Sequence, residues 1–182
     1  MREIAEYKAE ALKTGSIEIS NELDRLRQMM ALKNRGSAVP DITDKDTLKA
    51  TGYAEALGER RRENEPQAAH LWARYNSRIC SALDSNAVVA DAAKKCWGET
   101  LEAFRIGSDG GIARSSFNIG QMFENGWGVT RSKFLAADWY VKAADKYIAD
   151  ENREGSLEAI EAALRVVPDL PAAQRLRAKV QM

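Results

Sequence analysis

Residues 117–147, FNIGQMFENGWGVTRSKFLAADWYVKAADKY, constrain the fold of this chain more than any other stretch. Two helical patterns flank a reversal that carries glycines. Gly120 stands inside the first pattern, where glycine costs about 1 kcal/mol relative to alanine. A neighbouring helix that comes too close to admit a side chain accounts for that cost. Gly126 and Gly128 suit a tight turn, because glycine takes positive φ without a Cβ penalty. On the second pattern, Ala136, Ala143 and Ala144 are small at helical spacing, so a partner helix can pack close. Trp139 and Tyr140 fill the gap between layers and dominate the buried area. The stretch predicts an antiparallel helix pair.

The rest of the chain reads the same way. Its four prolines, Pro40, Pro66, Pro168 and Pro171, all sit where a helix should start or stop. No segment alternates with β-branched enrichment, so no strand is expected. A first helix is expected over about 3–13, and a second carries Ile19, Leu23, Leu26, Met30 and Leu32 as an apolar stripe that ends near Gly36. Thr43 and Asp46 resemble a capping box ahead of a third helix over 45–62. Pro66 opens a fourth helix, whose buried face is read as Leu71, Trp72, Tyr75, Ile79 and Leu83. Residues 84–86, DSN, break it and cap a fifth helix carrying Val88, Val89, Ala92, Ala93, Cys96, Trp97, Leu101 and Phe104. A sixth is expected over 112–124 and a seventh over 133–149. Ser156 is read as the cap of an eighth, and Pro171 as the start of a ninth. Antiparallel neighbours on short loops imply a helical bundle or a helical solenoid.

The 117–147 motif resembles the Sel-one-like repeat family, a relative of the tetratricopeptide repeats. Ile119-Gly120 stands at the family's Leu-Gly position and Phe123 at its tyrosine. Gly126, Gly128 and Val129 form the turn, and Ala136, Trp139, Tyr140, Lys142, Ala143 and Ala144 complete the second helix. Ser116, Phe117 and Asn118 depart from the small and apolar residues that the family favours there. A weaker echo lies upstream at Leu57-Gly58 followed by Ala68, Ala69 and Trp72, with a shorter turn. The resemblance implies an all-α, right-handed α-solenoid of antiparallel helix pairs. Its array would span 45–182, with the best-matched repeat at 111–149 and a tetratricopeptide-like end at 156–182. Residues 1–44 would form an N-terminal helical cap.

Charge narrows the function classes. The chain carries 27 Lys plus Arg and 27 Asp plus Glu, a formal net charge of zero. Nucleic-acid binders draw on a basic excess to neutralise phosphates, so none is expected as partner. No window approaches the ~18 apolar residues of a membrane span. The N-terminal MREIAEYKAEALK lacks the apolar core of a signal peptide. As it stands the sequence reads as cytoplasmic; a periplasmic location stays open if Met1 is not the natural start.

The chemistry-bearing residues are sparse. Cys80 and Cys96 read as two buried free thiols, with a disulfide between neighbouring helices as the alternative, which would imply an oxidising compartment. His70, the only histidine, reads as a surface or packing residue. It has no convergent ligands for zinc, and Cys80 lies almost three turns, about 15 Å, along the same helix. The glycine-rich SDGG and GWGV follow no strand, so they read as helix punctuation and not phosphate loops. Glu59, Glu63 and Glu65 with Arg60, Arg61 and Arg62 read as a solvated face. Met29 and Met30 read as core filling. No cofactor, metal site or catalytic set is expected.

The expected function is therefore binding. Stacked helix pairs form a concave groove able to read a polypeptide. The resemblance implies an adaptor, or a subunit of a bacterial complex. Exposed positions Arg114, Asn118 and Gln121, with Arg78 from the weaker unit, are the expected partner-contacting residues. An immunity protein that neutralises a secreted toxin is the alternative, and an enzyme with an unrecognised site is a lesser one.

Overall fold

A computed structural model of the 182-residue chain describes residues 2–33, 44–84 and 90–181, with the side chains of the second helix described as far as Met29. The described residues contain nine helices and no strand: α1 (Arg2–Ala11), α2 (Ser16–Lys33), α3 (Lys45–Arg62), α4 (Pro66–Asp84), α5 (Ala90–Asp109), α6 (Ala113–Asn125), α7 (Lys133–Ala149), α8 (Arg153–Val166) and α9 (Pro171–Gln181). The expected roles of Met30, Leu32, Gly36, Pro40, Thr43, Asn86, Val88 and Val89 fall outside the described residues or side chains.

Local chemistry sets the ends. Pro66 and Pro171 occupy the first positions of α4 and α9, where a missing N–H has no helical partner. Ser132 Oγ caps α7 by accepting from Leu135 N at 3.3 Å. Gly126 ends α6 at φ 79°, and its N–H donates to the Met122 carbonyl at 2.8 Å. Gly128 follows at φ 65°. One expected cap moves. α8 begins at Arg153, and its cap is Asn152, whose Oδ1 accepts from Gly155 N at 2.8 Å. Ser156 is buried one turn inside the helix, and its hydroxyl donates to the Arg153 carbonyl at 2.7 Å. Both residue types cap well, and the asparagine wins because its side chain reaches a free N–H of the first turn.

From α2 onward each helix packs on its successor, and α1 packs on α3. α2 also reaches α4, and α7 reaches α9. Such near-neighbour packing is compatible with an α-solenoid. Three apolar clusters follow one another along the chain. The first joins α1 to α4 through Ala11, Ile19, Leu23, Leu26, Tyr53, Leu57 and Leu71. The second joins α4, α5 and α6 through Ala73, Trp97, Phe104, Ile119 and Met122. The third runs from α6 to α9 through Phe117, Tyr140, Tyr147, Ile160 and Ala173.

Close approach at glycine recurs. A Cβ on Gly120 would stand 2.6 Å from Tyr140 Cε1, and Tyr140 is fully buried. The expected intruder is therefore an aromatic ring and not a backbone. A Cβ on Gly58 of α3 would meet Trp72 Nε1 of α4 at 3.1 Å. At the N-terminal end, a Cβ on Gly52 would lie 2.8 Å from the Ile4 carbonyl, which presses α1 onto α3.

Two readings of faces need correction. Ile79, expected in the buried stripe of α4, is 41% exposed, because α5 covers the side of α4 that carries Asn76 and Cys80. The arginine run is not a solvated face. Arg60 donates through Nη2 to the carbonyls of Leu12, at 2.9 Å, and Thr14, which satisfies the end of α1. It also pairs with Glu65 at 3.3 Å. Arg61 lies over the Trp72 ring at 4.2 Å. Only Arg62, 3.8 Å from Glu59, behaves as a surface ion pair.

Candidate functional site: a groove between α4 and α6

The packing leaves a groove of about 220 Å³ between α4 and α6. Arg74, Ser77 and Arg78 of α4 form one wall, and Asn118, Gln121 and Met122 of α6 the other. Trp97 and Phe104 of α5 make the floor, and Trp127 of the α6–α7 turn closes one end. An open extension of about 350 Å³ continues past Ser77, Arg78, Ser81, Trp97 and Trp127. Beside it a narrow cleft reaches Asp24 and Arg27 of α2 and shares Arg74 and Arg78 with the groove.

Three of the four residues expected to contact a partner, Arg78, Asn118 and Gln121, therefore line one surface. Arg114 does not. It occupies the same face of α6 one turn earlier, and Glu158 of α8 holds its guanidinium at 3.0 Å. Sequence reading missed Arg74 and Trp127. Arg74 sits one turn before Arg78 on the same face. Trp127 stands between the two turn glycines, a place where an aromatic buries little and so carries a signal.

α4 brings two guanidinium groups to the groove. Neither Arg74 nor Arg78 forms an ion pair among the described residues, and both are exposed. Arg27 has Asp24 at 3.1 Å and stacks over the Tyr75 ring at 4.3 Å. Burial, and then the nearby Arg78 charge, pull the Arg27 guanidinium below its ordinary range.

Trp127 is 40% exposed and stacks on buried Trp97, with ring centroids 5.6 Å apart and planes 10° from parallel. The Trp97 indole N–H donates to Asp84 Oδ2 at 2.6 Å, which fixes the lower ring. A Cβ on Gly128 would collide with Trp97 Cβ, so the turn presses directly on the floor of the groove. The exposed indole is thus held on a rigid base.

The floor is anchored behind by a disulfide. Cys80 of α4 and Cys96 of α5 are bonded, with Cα atoms 5.4 Å apart. This overturns the free-thiol reading: α4 and α5 lie face to face, and the two cysteines meet at the seam. Asn76 Nδ2 donates to Thr100 Oγ1 at 2.9 Å beside the bridge, and Thr100 in turn donates to the Cys96 carbonyl at 2.9 Å.

Two buried polar clusters lie behind the groove and were not foreseen. His70 Nδ1 shares a 2.8 Å hydrogen bond with Ser115 Oγ, packed against the Phe104 ring. Burial first, then the charges of Arg74 and Arg114, lower its pKa to about 4, so the imidazole is neutral. Lys146 of α7 donates to the Ser108 carbonyl at 2.5 Å, to Ser108 Oγ at 2.8 Å and to Ser116 Oγ at 2.9 Å. Burial lowers the Lys146 pKa. A serine next to such a lysine is the pattern of a nucleophile and its base. Here, however, the ammonium spends all three protons on these oxygens, and Ser108 and Ser116 are closed to solvent. The cluster ties α5, α6 and α7 together.

Among the described residues, no three His, Cys, Asp or Glu side chains converge to hold a metal, and no helix is long and apolar enough to cross a membrane. Compared with protein families, curated proteins and solved structures, the chain matches none.

Proposed function

We propose that this chain is a polypeptide-binding module of the adaptor kind, built as a right-handed α-solenoid similar to Sel-one-like repeats, and that the α4–α6 groove is its recognition surface. The observation that carries the reading is the convergence of Arg78, Asn118 and Gln121 on one groove that ends at an exposed, stacked tryptophan. Groups of this kind supply what a peptide needs: amides for main-chain hydrogen bonds, guanidinia for carboxylates and an aromatic anchor. The Cys80–Cys96 bridge supports an oxidising compartment, such as a bacterial periplasm, because disulfides persist there and are rare in a reducing cytosol.

The test is affinity purification from the source organism with the wild-type chain and with Arg78→Glu/Asn118→Arg. A protein recovered with the wild type and lost with the variant supports the reading. A protein recovered equally with both removes the groove from it.

A further inference from the structure

The groove has a chemistry specific enough to name the class of its partner, an inference that rests on the binding reading above. Arg74 and Arg78 are one helical turn apart on the same face of α4 and lack carboxylate partners among the described residues. An α-helical turn separates such side chains by about 5–6 Å. In an extended peptide, alternate side chains point the same way and are spaced by about 6.6 Å. The two spacings agree closely enough for one guanidinium to meet each of two alternate side chains. Guanidinium–carboxylate pairs are the strong, geometrically selective partners of this kind. Trp127 adds an apolar platform that is already ordered by Trp97 and by the turn glycines, so ordering it on binding costs little. Asn118 and Gln121 on the facing wall present donors and acceptors suited to a peptide main chain.

We propose that the groove takes an extended acidic peptide segment. Two Asp or Glu side chains at alternate positions pair with Arg74 and Arg78, and an aromatic or large apolar residue beside them covers Trp127. Nucleic acid fits less well. It needs a long basic track to displace its counterions, and this chain has no net positive charge.

Selection of random dodecamer peptides on the full, oxidised chain tests this. Arg74→Gln/Arg78→Gln and Trp127→Ala chains serve as counter-selection, with circular dichroism confirming that each is folded. Selected peptides should carry acidic residues at alternate positions next to an aromatic. They should bind the wild type at least about tenfold more tightly than either variant. A synthetic copy with Gln for each Glu should lose a similar factor, and binding should weaken as salt rises. Peptides that depend on Arg78 and Trp127 but are neutral or basic overturn the acidic class and leave the groove as a binding site. A phosphopeptide or single-stranded DNA that binds more tightly than the carboxylate peptide also overturns it. Peptides indifferent to both variants, or no enrichment at all, remove the groove as well.

Discussion

Gly120 of α6 and Tyr140 of α7 occupy a shared space: a Cβ on the glycine would stand 2.6 Å from the ring. The tyrosine is held on three sides. Its ring packs on Phe117 at 5.0 Å between centroids, and its hydroxyl donates to Glu124 Oε2 at 2.6 Å. Arg165 of α8 grips the same carboxylate, with Nη2 3.0 Å from Oε2. That hydrogen bond first, then the one from Tyr140, hold the Glu124 carboxyl below its usual range. One glycine therefore lets a single aromatic tie three helices.

Gly120→Ala should destabilise the fold despite a helix-propensity gain of about 1 kcal/mol. Overpacking a rigid site costs about 1–3 kcal/mol, so a net loss of up to about 2 kcal/mol is expected by denaturant unfolding. In a Tyr140→Leu background the same alanine should cost nothing or stabilise. A cost that is the same in both backgrounds would show that the ring is not the obstacle.

Reduction of Cys80–Cys96 should lower stability by about 3 kcal/mol, the value for a loop of about 15 residues. Cys80→Ser/Cys96→Ser should reproduce it. Equal unfolding midpoints with and without reductant would contradict this.

His70 titrates in the acid range. Its folded pKa of about 4 lies below the ordinary 6.5, so the unfolded chain takes up its proton first as pH falls. The stabilisation is complete above about pH 6.5 and is lost as pH falls through about 4. Linkage puts it at roughly 3 kcal/mol. His70→Gln should flatten the stability profile between pH 6.5 and 4 relative to wild type. An unchanged slope would place the acid sensitivity elsewhere.

Arg60→Ala should loosen α1. The side chain satisfies the Leu12 and Thr14 carbonyls, and removing a charged donor from part-buried acceptors costs about 1–3 kcal/mol. Hydrogen exchange should quicken over Arg2–Ala11 and stay unchanged over α6–α9. Uniform quickening would mean that the two ends unfold together.

Much of the architecture was legible because it depends on spacing. Prolines and the apolar period located the helices, and Gly120 announced a close contact. What was not legible depends on partners distant in sequence. Arg60 looks like surface charge until the α1–α2 turn arrives beside it. Lys146 has nothing in its own helix to distinguish it, and its three oxygen acceptors come from α5 and α6. Cys80 and Cys96 are 16 residues apart across a helix boundary, a spacing that suits either a thiol pair or a bridge. Only the contact between α4 and α5 decides it. The groove was half legible: Asn118 and Gln121 follow from their face on α6. The placing of Arg78 opposite them does not follow from the repeat echo, which makes α4 the second helix of its pair.

Site-specific photocrosslinking in the source organism tests whether the α4–α6 groove holds a polypeptide partner. A crosslinking amino acid is placed at Gln121 in the groove and at Asp138 on the exposed side of α7, each with and without Arg78→Glu. A discrete protein adduct should form from position 121 alone and be lost when Arg78 is reversed. An adduct from position 138 with none from 121, or an adduct at 121 that survives the reversal, would contradict it.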